Sequence, residues 1–258
     1  LGCGLDPDRL FLTASTSEAY GLLFKLLADP GDEVLIPNPG YPLLSYLARF
    51  EGLRAVAYPT RYDDDKGWSM DLEVLSALVT PRTRAVLVVS PNNPTGAYLK
   101  PAESAFLDDL CRRRRLALVV DEVFADYVAP QAPPDRWPTV AGRTGCLTFV
   151  LNGFSKLYAM TGWRLGYLIA PPAFIRPLQK IHQNFFISAN TMAQWAGMAA
   201  LKEAGEEVKR MREIYDRRRQ VMLRGLKDLG FGIQVEPTGA FYVLANARRF
   251  HGDSYRLA

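Results

Sequence analysis

The sequence predicts an α/β fold: a mostly parallel seven-stranded sheet sandwiched by helices, followed by the start of a smaller α+β domain. Three observations carry this expectation. Short β-branched apolar runs alternate with longer helical patterns as far as Ala170. The runs are apolar at consecutive positions rather than at every second one, as in strands covered on both faces. From about Gly205 the texture changes to one long charged helical stretch, which sets expected domains at 1–204 and 205–258.

In chain order, an apolar lead-in over 10–13 is followed by three hydroxyl residues, Ser15, Thr16 and Ser17, and a helix over 17–28. Asp29-Pro30-Gly31-Asp32 marks a turn before a strand at 34–36. Asn38-Pro39-Gly40 then breaks the chain before a helix over 41–50. Strands follow at 55–58, 85–90, 116–121, 146–151 and 165–170, with helices over 71–78 and 101–114 and a Pro/Asn/Gly turn over 91–96. Helices between parallel strands require right-handed crossovers, and ligands belong beyond the carboxyl ends of the strands. The charged helix runs over 205–229 and is closed by Gly230, after which 235–246 reads as strand-turn-strand.

Composition excludes several classes. With 258 residues, 48% hydrophobic and 22% charged, the chain can bury a sizeable core. The net charge of +4 is spread out apart from Arg112 to Arg115, which lacks interleaved aromatics and reads as a solvated last helical turn, not a nucleic-acid contact. No apolar stretch is long enough for a membrane span, and no signal peptide is visible. Cys3, Cys111 and Cys146 are odd in number and lack Cys-x-x-Cys spacing, so neither disulfide framework nor zinc site is expected, and a reducing cytoplasmic setting fits. Two histidines, His182 and His251, give no basis for a metal site or a Ser-His-Asp triad, and His182 reads as a helix-surface residue. The chain begins without methionine and stops early in a helix-like pattern, so part of a longer protein is expected.

The most informative stretch is Asn152-Gly153-Phe154-Ser155-Lys156, with Arg164 in Gly162-Trp163-Arg164-Leu165-Gly166. A lysine just past a buried strand can lose water, which favours its nucleophilic amine, and an arginine nearby offers a fork for a phosphate or carboxylate. A lysine set for imine formation beside an anion clamp suggests pyridoxal phosphate; alone, the segment fits a surface loop lysine at least as well. Ser15, Thr16 and Ser17 at a helix start form either a phosphate cradle or an ordinary N-cap. Asn93 lies in a strand-end turn and could donate its amide to a ring oxygen. Asp121 ends a strongly apolar strand, so its carboxylate is either paired or functional. Tyr41 puts an aromatic ring at a helix start, where it could stack on a planar ligand.

Jointly, Asn92-Asn93-Pro94-Thr95-Gly96, Asp121-Glu122-Val123-Phe124, Ser155-Lys156 and Gly162-Trp163-Arg164-Leu165-Gly166 resemble the class I/II aminotransferases of pyridoxal-phosphate fold type I, over 6–250. The resemblance implies that Lys156 forms a Schiff base with the cofactor and shuttles the substrate Cα proton. It implies that Asp121 keeps the pyridine nitrogen protonated, Asn93 bonds the ring's 3′ oxygen and Tyr41 stacks on the ring. Ser15, Thr16, Ser17 and Arg164 would hold the phosphate, with Ser155 a further candidate. Two departures stand out: Phe124 replaces a usual tyrosine whose phenol donates to the 3′ oxygen, and Gly153 replaces a phosphate-contacting serine common among relatives. The implied activity is transfer of an amino group from an amino acid to a 2-oxo acid by a homodimer, with neither nucleic acid nor membrane as partner. Alternatives are a β-lyase or decarboxylase on the same fold, or the aminotransferase-like sensor domain of a transcription regulator. The arginine that grips a substrate α-carboxylate would lie downstream of 237–242, beyond the chain's end. Arg248 and Arg249 follow that segment too closely and read as a solvated pair.

Overall fold

The computed structural model describes residues 4–132, 139–142, 145–253 and Arg256. Its strands are β1 (Leu10–Thr13), β2 (Glu33–Asn38), β3 (Arg54–Asp63), β4 (Gly67–Met70), β5 (Thr83–Val89), β6 (Ala117–Asp121), β7 (Leu147–Gly153) and β8 (Gly166–Ile169). They form one sheet in the order β1-β8-β7-β6-β5-β2-β3-β4. The run β7-β6-β5-β2-β3 is parallel, and antiparallel pairs close both ends. All seven expected strands are present. The eighth, β4, is a short edge strand whose Trp68 lies opposite Tyr62 and packs against its ring at 5.3 Å. Its four residues include only two large apolar ones, too little for a sequence pattern.

The continuous apolar runs have a direct structural reason. In β5, Ala85, Leu87 and Val89 face one core while Val86 and Val88 face the other, and β6 and β7 divide in the same way. Helices α1 (Thr16–Leu27), α2 (Leu43–Phe50) and α6 (Pro172–Phe185) cover the first face. Helices α3 (Leu72–Ala77) and α4 (Pro101–Arg114) cover the second. In α1 the Ser15 hydroxyl accepts from Glu18 N at 3.3 Å. Such a cap contributes about 1 kcal/mol. Burial of Leu22, Leu23 and Phe24 contributes roughly 1.5–3 kcal/mol for each side chain, so packing dominates over the cap. Helix α4 starts at Pro101 and ends in the exposed Arg112 to Arg115, with Arg115 left-handed at φ 56°, as expected of a solvated last turn.

After the four-residue α5 (Phe154–Leu157), α6 leads to α7 (Thr191–Glu203) and the long α8 (Gly205–Asp228). Two expectations need correction. Residues 235–246 form no strand pair; the segment makes only isolated bridges, Gly239 with Val128 and Asn246 with Gly232. Pro237 lacks a donor and Ala240 is left-handed at φ 57°, so a ladder cannot run through. The backbone bonds go to neighbouring loops instead: Ala129 N donates to Thr238 O at 2.8 Å and Gly239 N to Gly96 O at 3.1 Å. His182, expected on a helix surface, is buried at 5% exposure, with its ring edge-on to Phe11 at 5.1 Å and its Nε2 3.7 Å from Glu18 Oε1. Its position on α6 turns toward α1, which the helical pattern alone did not reveal. Cys3 lies outside the described residues; Cys111 is buried and Cys146 half-buried. Among the described residues, no helix is long and apolar enough to cross a membrane, and no group of acidic, histidine and cysteine side chains could hold a metal ion.

Candidate active site

The carboxyl ends of β1, β5, β6 and β7 open on one cavity of about 230 Å³. Ser15, Thr16, Ser17, Tyr41, Asn93, Asp121, Phe124, Ser155, Lys156 and Arg164 all line it. They come from six separate stretches of chain, and folding brings every one of the sequence-expected site residues to the same wall or mouth.

Asp121 is the last residue of β6 and is 4% exposed. Its Oδ1 accepts from Val123 N at 3.0 Å and its Oδ2 from the Tyr20 hydroxyl at 3.1 Å. Among the described residues it makes no salt bridge. Burial pushes its carboxyl up to about 6, against the lowering effect of both hydrogen bonds and of Lys156. Removing a charge from water costs more than two neutral-donor bonds return. A cation placed in the cavity against Asp121 would reverse that balance.

Lys156 sits on α5 directly after β7, half-buried, with its carbonyl accepting from the Tyr127 hydroxyl at 2.7 Å. Its Nζ lies 5.7 Å from the centre of the Phe124 ring. The position expected to carry a phenol therefore offers the lysine an aromatic face.

At the other wall, Ser15 opens α1 in extended conformation, and Thr16 and Ser17 form its first turn. Free backbone N–H groups and hydroxyls together suit an anion. Two glycines make this wall possible. Gly153 and Gly166 face each other across β7 and β8. A Cβ on Gly166 would stand 3.0 Å from the Ser15 carbonyl carbon, and one on Gly153 would stand 3.2 Å from Gly166 Cα. A serine at position 153, as the resemblance implies for this place, would thus crowd this particular strand pair. Arg164 is left-handed at φ 53°, exposed, and has no acidic partner among the described residues. Its Nη1 donates to Thr161 O at 3.0 Å, while the Thr161 hydroxyl donates to Ser155 O at 3.1 Å. Thr161 thereby ties the lysine segment to the arginine.

Sequence reasoning missed three contributors. Tyr20 supports Asp121 from α1, Thr161 links Ser155 to Arg164, and Tyr242 lines the cavity from the loop after α8. Thr161 lay inside the informative stretch and Tyr20 one helical turn past the hydroxyls; neither carries a motif of its own. Arg248 and Arg249 are exposed and away from the cavity lining, as expected.

The profile of the family described as aminotransferase class I and II matches residues 2–250. The chain belongs to this family. Among class I and II aminotransferases it is 36% identical to the aspartate/prephenate aminotransferase of Thermus thermophilus, over 100% of this chain and 66% of that protein. It is 32% identical to the arginine–pyruvate transaminase of Pseudomonas aeruginosa, over 96% of this chain and 62% of that one. A solved structure of Thermus thermophilus aspartate aminotransferase, a double mutant, superposes with a TM-score of 0.88 at 35% identity, covering 100% of this chain and 66% of that one. The aromatic aminotransferase from Pyrococcus horikoshii gives 0.89 at 31%, covering 99% and 68%. The chain thus spans about two thirds of the length of the relatives it matches.

Proposed function

We propose that this chain carries the cofactor-binding part of a pyridoxal-phosphate-dependent aminotransferase, which moves an amino group from an amino acid to a 2-oxo acid. The observation that carries the reading is the buried Asp121 carboxylate, without a salt-bridge partner among the described residues, in one cavity with Lys156 and Arg164. This donor set fits the cofactor. A dianionic phosphate suits the α1 N-terminus, Ser15, Thr16, Ser17, Ser155 and Arg164; a protonated pyridine nitrogen suits Asp121. When bound, pyridoxal phosphate supplies a carbonyl for covalent attachment and a ring that draws electrons from the substrate Cα.

With the cofactor bound, Lys156 Nζ would be its point of attachment and the general base and acid that takes up and returns the substrate Cα proton. Asp121 keeps a proton on the ring nitrogen, and Tyr20 fixes the carboxylate that does so. Tyr41, 40% exposed at the cavity rim, would cover the ring and exclude water. Asn93 would bond the ring's 3′ oxygen, and the Phe124 ring faces the lysine amine at 5.7 Å.

We also propose a homodimeric, cytoplasmic protein in which 205–258 begin a smaller second domain. Support for the dimer comes from Met192, Trp195, Met198 and Leu201, which recur every three residues along α7 and are 72%, 65%, 42% and 64% exposed. Phe185, Phe186 and Ile187 extend the same kind of apolar surface just before it. A stripe of this size is more than scattered surface residues provide.

The deciding experiment has two arms. Borohydride reduction of the cofactor-loaded protein should place the label on Lys156, and a label on another lysine would overturn the assignment. Mixing the loaded protein with single amino acids should convert its visible band to that of the aminated cofactor with release of the matching 2-oxo acid. Release of ammonia or carbon dioxide instead would point to a lyase or decarboxylase.

A further inference from the structure

Tyr242 is the cavity residue that the motifs do not assign, and several contacts hold it there. The segment before it is pinned to the loop bearing Asn93. Gly239 N donates to Gly96 O at 3.1 Å, and a Cβ on Gly239 would stand 2.8 Å from the Tyr98 ring, so the two loops touch along their backbones. Ala240 is left-handed at φ 57°, which turns the chain so that Phe241 and Tyr242 both follow toward Phe124. The Phe124 ring meets Phe241 edge-on at 5.1 Å and Tyr242 edge-on at 5.5 Å. Tyr242 and Asn93 line the same cavity, from the two loops that touch there.

The Tyr242 hydroxyl is not spent on a side-chain or backbone acceptor among the described residues. A phenol that lines the cavity so has a hydrogen to give to an acceptor placed there. It also keeps that hydrogen: burial raises the Tyr242 phenol above its ordinary range, with the nearby Tyr41 hydroxyl adding to the shift. Phe124, the ring between Tyr242 and Lys156, has no hydroxyl to offer.

We propose that Tyr242, placed in the cavity beside Asn93 and Phe124, donates a hydrogen bond to the anionic ring oxygen of the bound cofactor and so takes over the donation that Phe124 cannot make. Tyr242 is then a positioning and tuning residue supplied by the loop after α8 rather than by the Asp121 segment. The inference rests on the pyridoxal-phosphate reading above. Its consequence is electrostatic. A donor to the ring oxygen draws charge away from it, and that charge is what favours a proton on the nitrogen joining cofactor and Lys156. Loss of the donor leaves the oxygen more basic toward that nitrogen, so the proton is held to higher pH.

The test compares wild type, Tyr242→Phe and the double variant Tyr242→Phe/Phe124→Tyr as full chains loaded with pyridoxal phosphate. Tyr242→Phe keeps the ring that packs on Phe124, and a thermal melt checks that the fold is kept. The pH midpoint of the visible absorbance band should rise in Tyr242→Phe by about one unit, the shift expected for one lost hydrogen bond to a charged oxygen. Cofactor dissociation measured by equilibrium dialysis should be several-fold easier. The double variant, with a hydroxyl restored on the neighbouring ring, should return toward the wild-type midpoint. A midpoint unmoved in Tyr242→Phe overturns the inference, and so does a double variant no nearer wild type than the single one. Borohydride labelling of Lys156 in the wild type keeps the cases apart. Labelling with an unmoved midpoint sinks only the role of Tyr242, whereas absence of labelling sinks the cofactor reading itself.

Discussion

Replacing Asp121 by asparagine should make the cofactor-free protein more stable while disabling its chemistry. In the folded chain burial pushes the Asp121 carboxyl up to about 6, from 3.8 for the free side chain. A carboxyl whose folded pKa is raised destabilises the fold wherever it is ionised in both states. The penalty is therefore full above the folded value and fades as pH falls toward the unfolded one. Integrating proton linkage gives a penalty of about 3 kcal/mol at about pH 7.5 that shrinks to a small fraction of this at about pH 4. An asparagine side chain would be neutral throughout and similar in shape. Its carbonyl can accept from Val123 N, and its amide can donate to the Tyr20 oxygen in place of the bond that Tyr20 now gives.

The assay is thermal or urea unfolding of the cofactor-free wild type and Asp121→Asn across that pH range. Glu122, whose carboxyl burial pushes up to about 7, is present in both proteins, and its repulsion from Asp121 only enlarges the difference. In a chain of this size each kcal/mol corresponds to roughly 2–4 °C, so the variant should melt several degrees higher near neutrality and hardly differently near pH 4. The loaded variant should transfer amino groups at least about a hundredfold more slowly, because a neutral amide cannot hold the ring nitrogen protonated. A variant no more stable than wild type near neutrality, or a difference that stays flat with pH, would refute the claim that Asp121 is an uncompensated buried charge.

Three further outcomes are expected. Phe124→Tyr adds a donor beside Lys156 and should lower the pH midpoint of the loaded protein's visible band; an unmoved midpoint in a spectrophotometric titration would count against the placement of Phe124. Gly166→Ala sets a Cβ 3.0 Å from the Ser15 backbone, so the start of α1, the proposed phosphate wall, must shift. Stability should fall by about 1–3 kcal/mol and cofactor affinity about tenfold, as read by urea unfolding and by dialysis. Trp195→Glu puts a charge in the centre of the exposed α7 stripe and should shift sedimentation from dimer toward monomer, whereas an unchanged sedimentation coefficient would place the interface elsewhere.

How far the sequence foretold this arrangement follows from how each residue gets to the cavity. Asp121, Lys156 and the Ser15–Ser17 group reach it at the ends of strands or the start of a helix, and such ends are marked locally by the stop of an apolar run. The parallel order of those strands places the ends on one side, so their convergence needed no more than the fold class. Tyr242 reaches the cavity through Ala240 and through backbone contact between two loops far apart in sequence, neither of which has a period or a cap to read. The segment 235–246, expected as strand-turn-strand, instead packs the rings of Phe241 and Tyr242 against Phe124. His182 was misplaced for a related reason: whether a lone polar residue on an amphipathic helix faces water depends on the partner helix, here α1 with Glu18. The legible part of the site is thus the part built by single elements, and the hidden part is built by pairs of them. Phe124 stands at the join, since its departure from the family pattern is plain in the sequence while the neighbouring hydroxyl of Tyr242 emerges only once the loops meet.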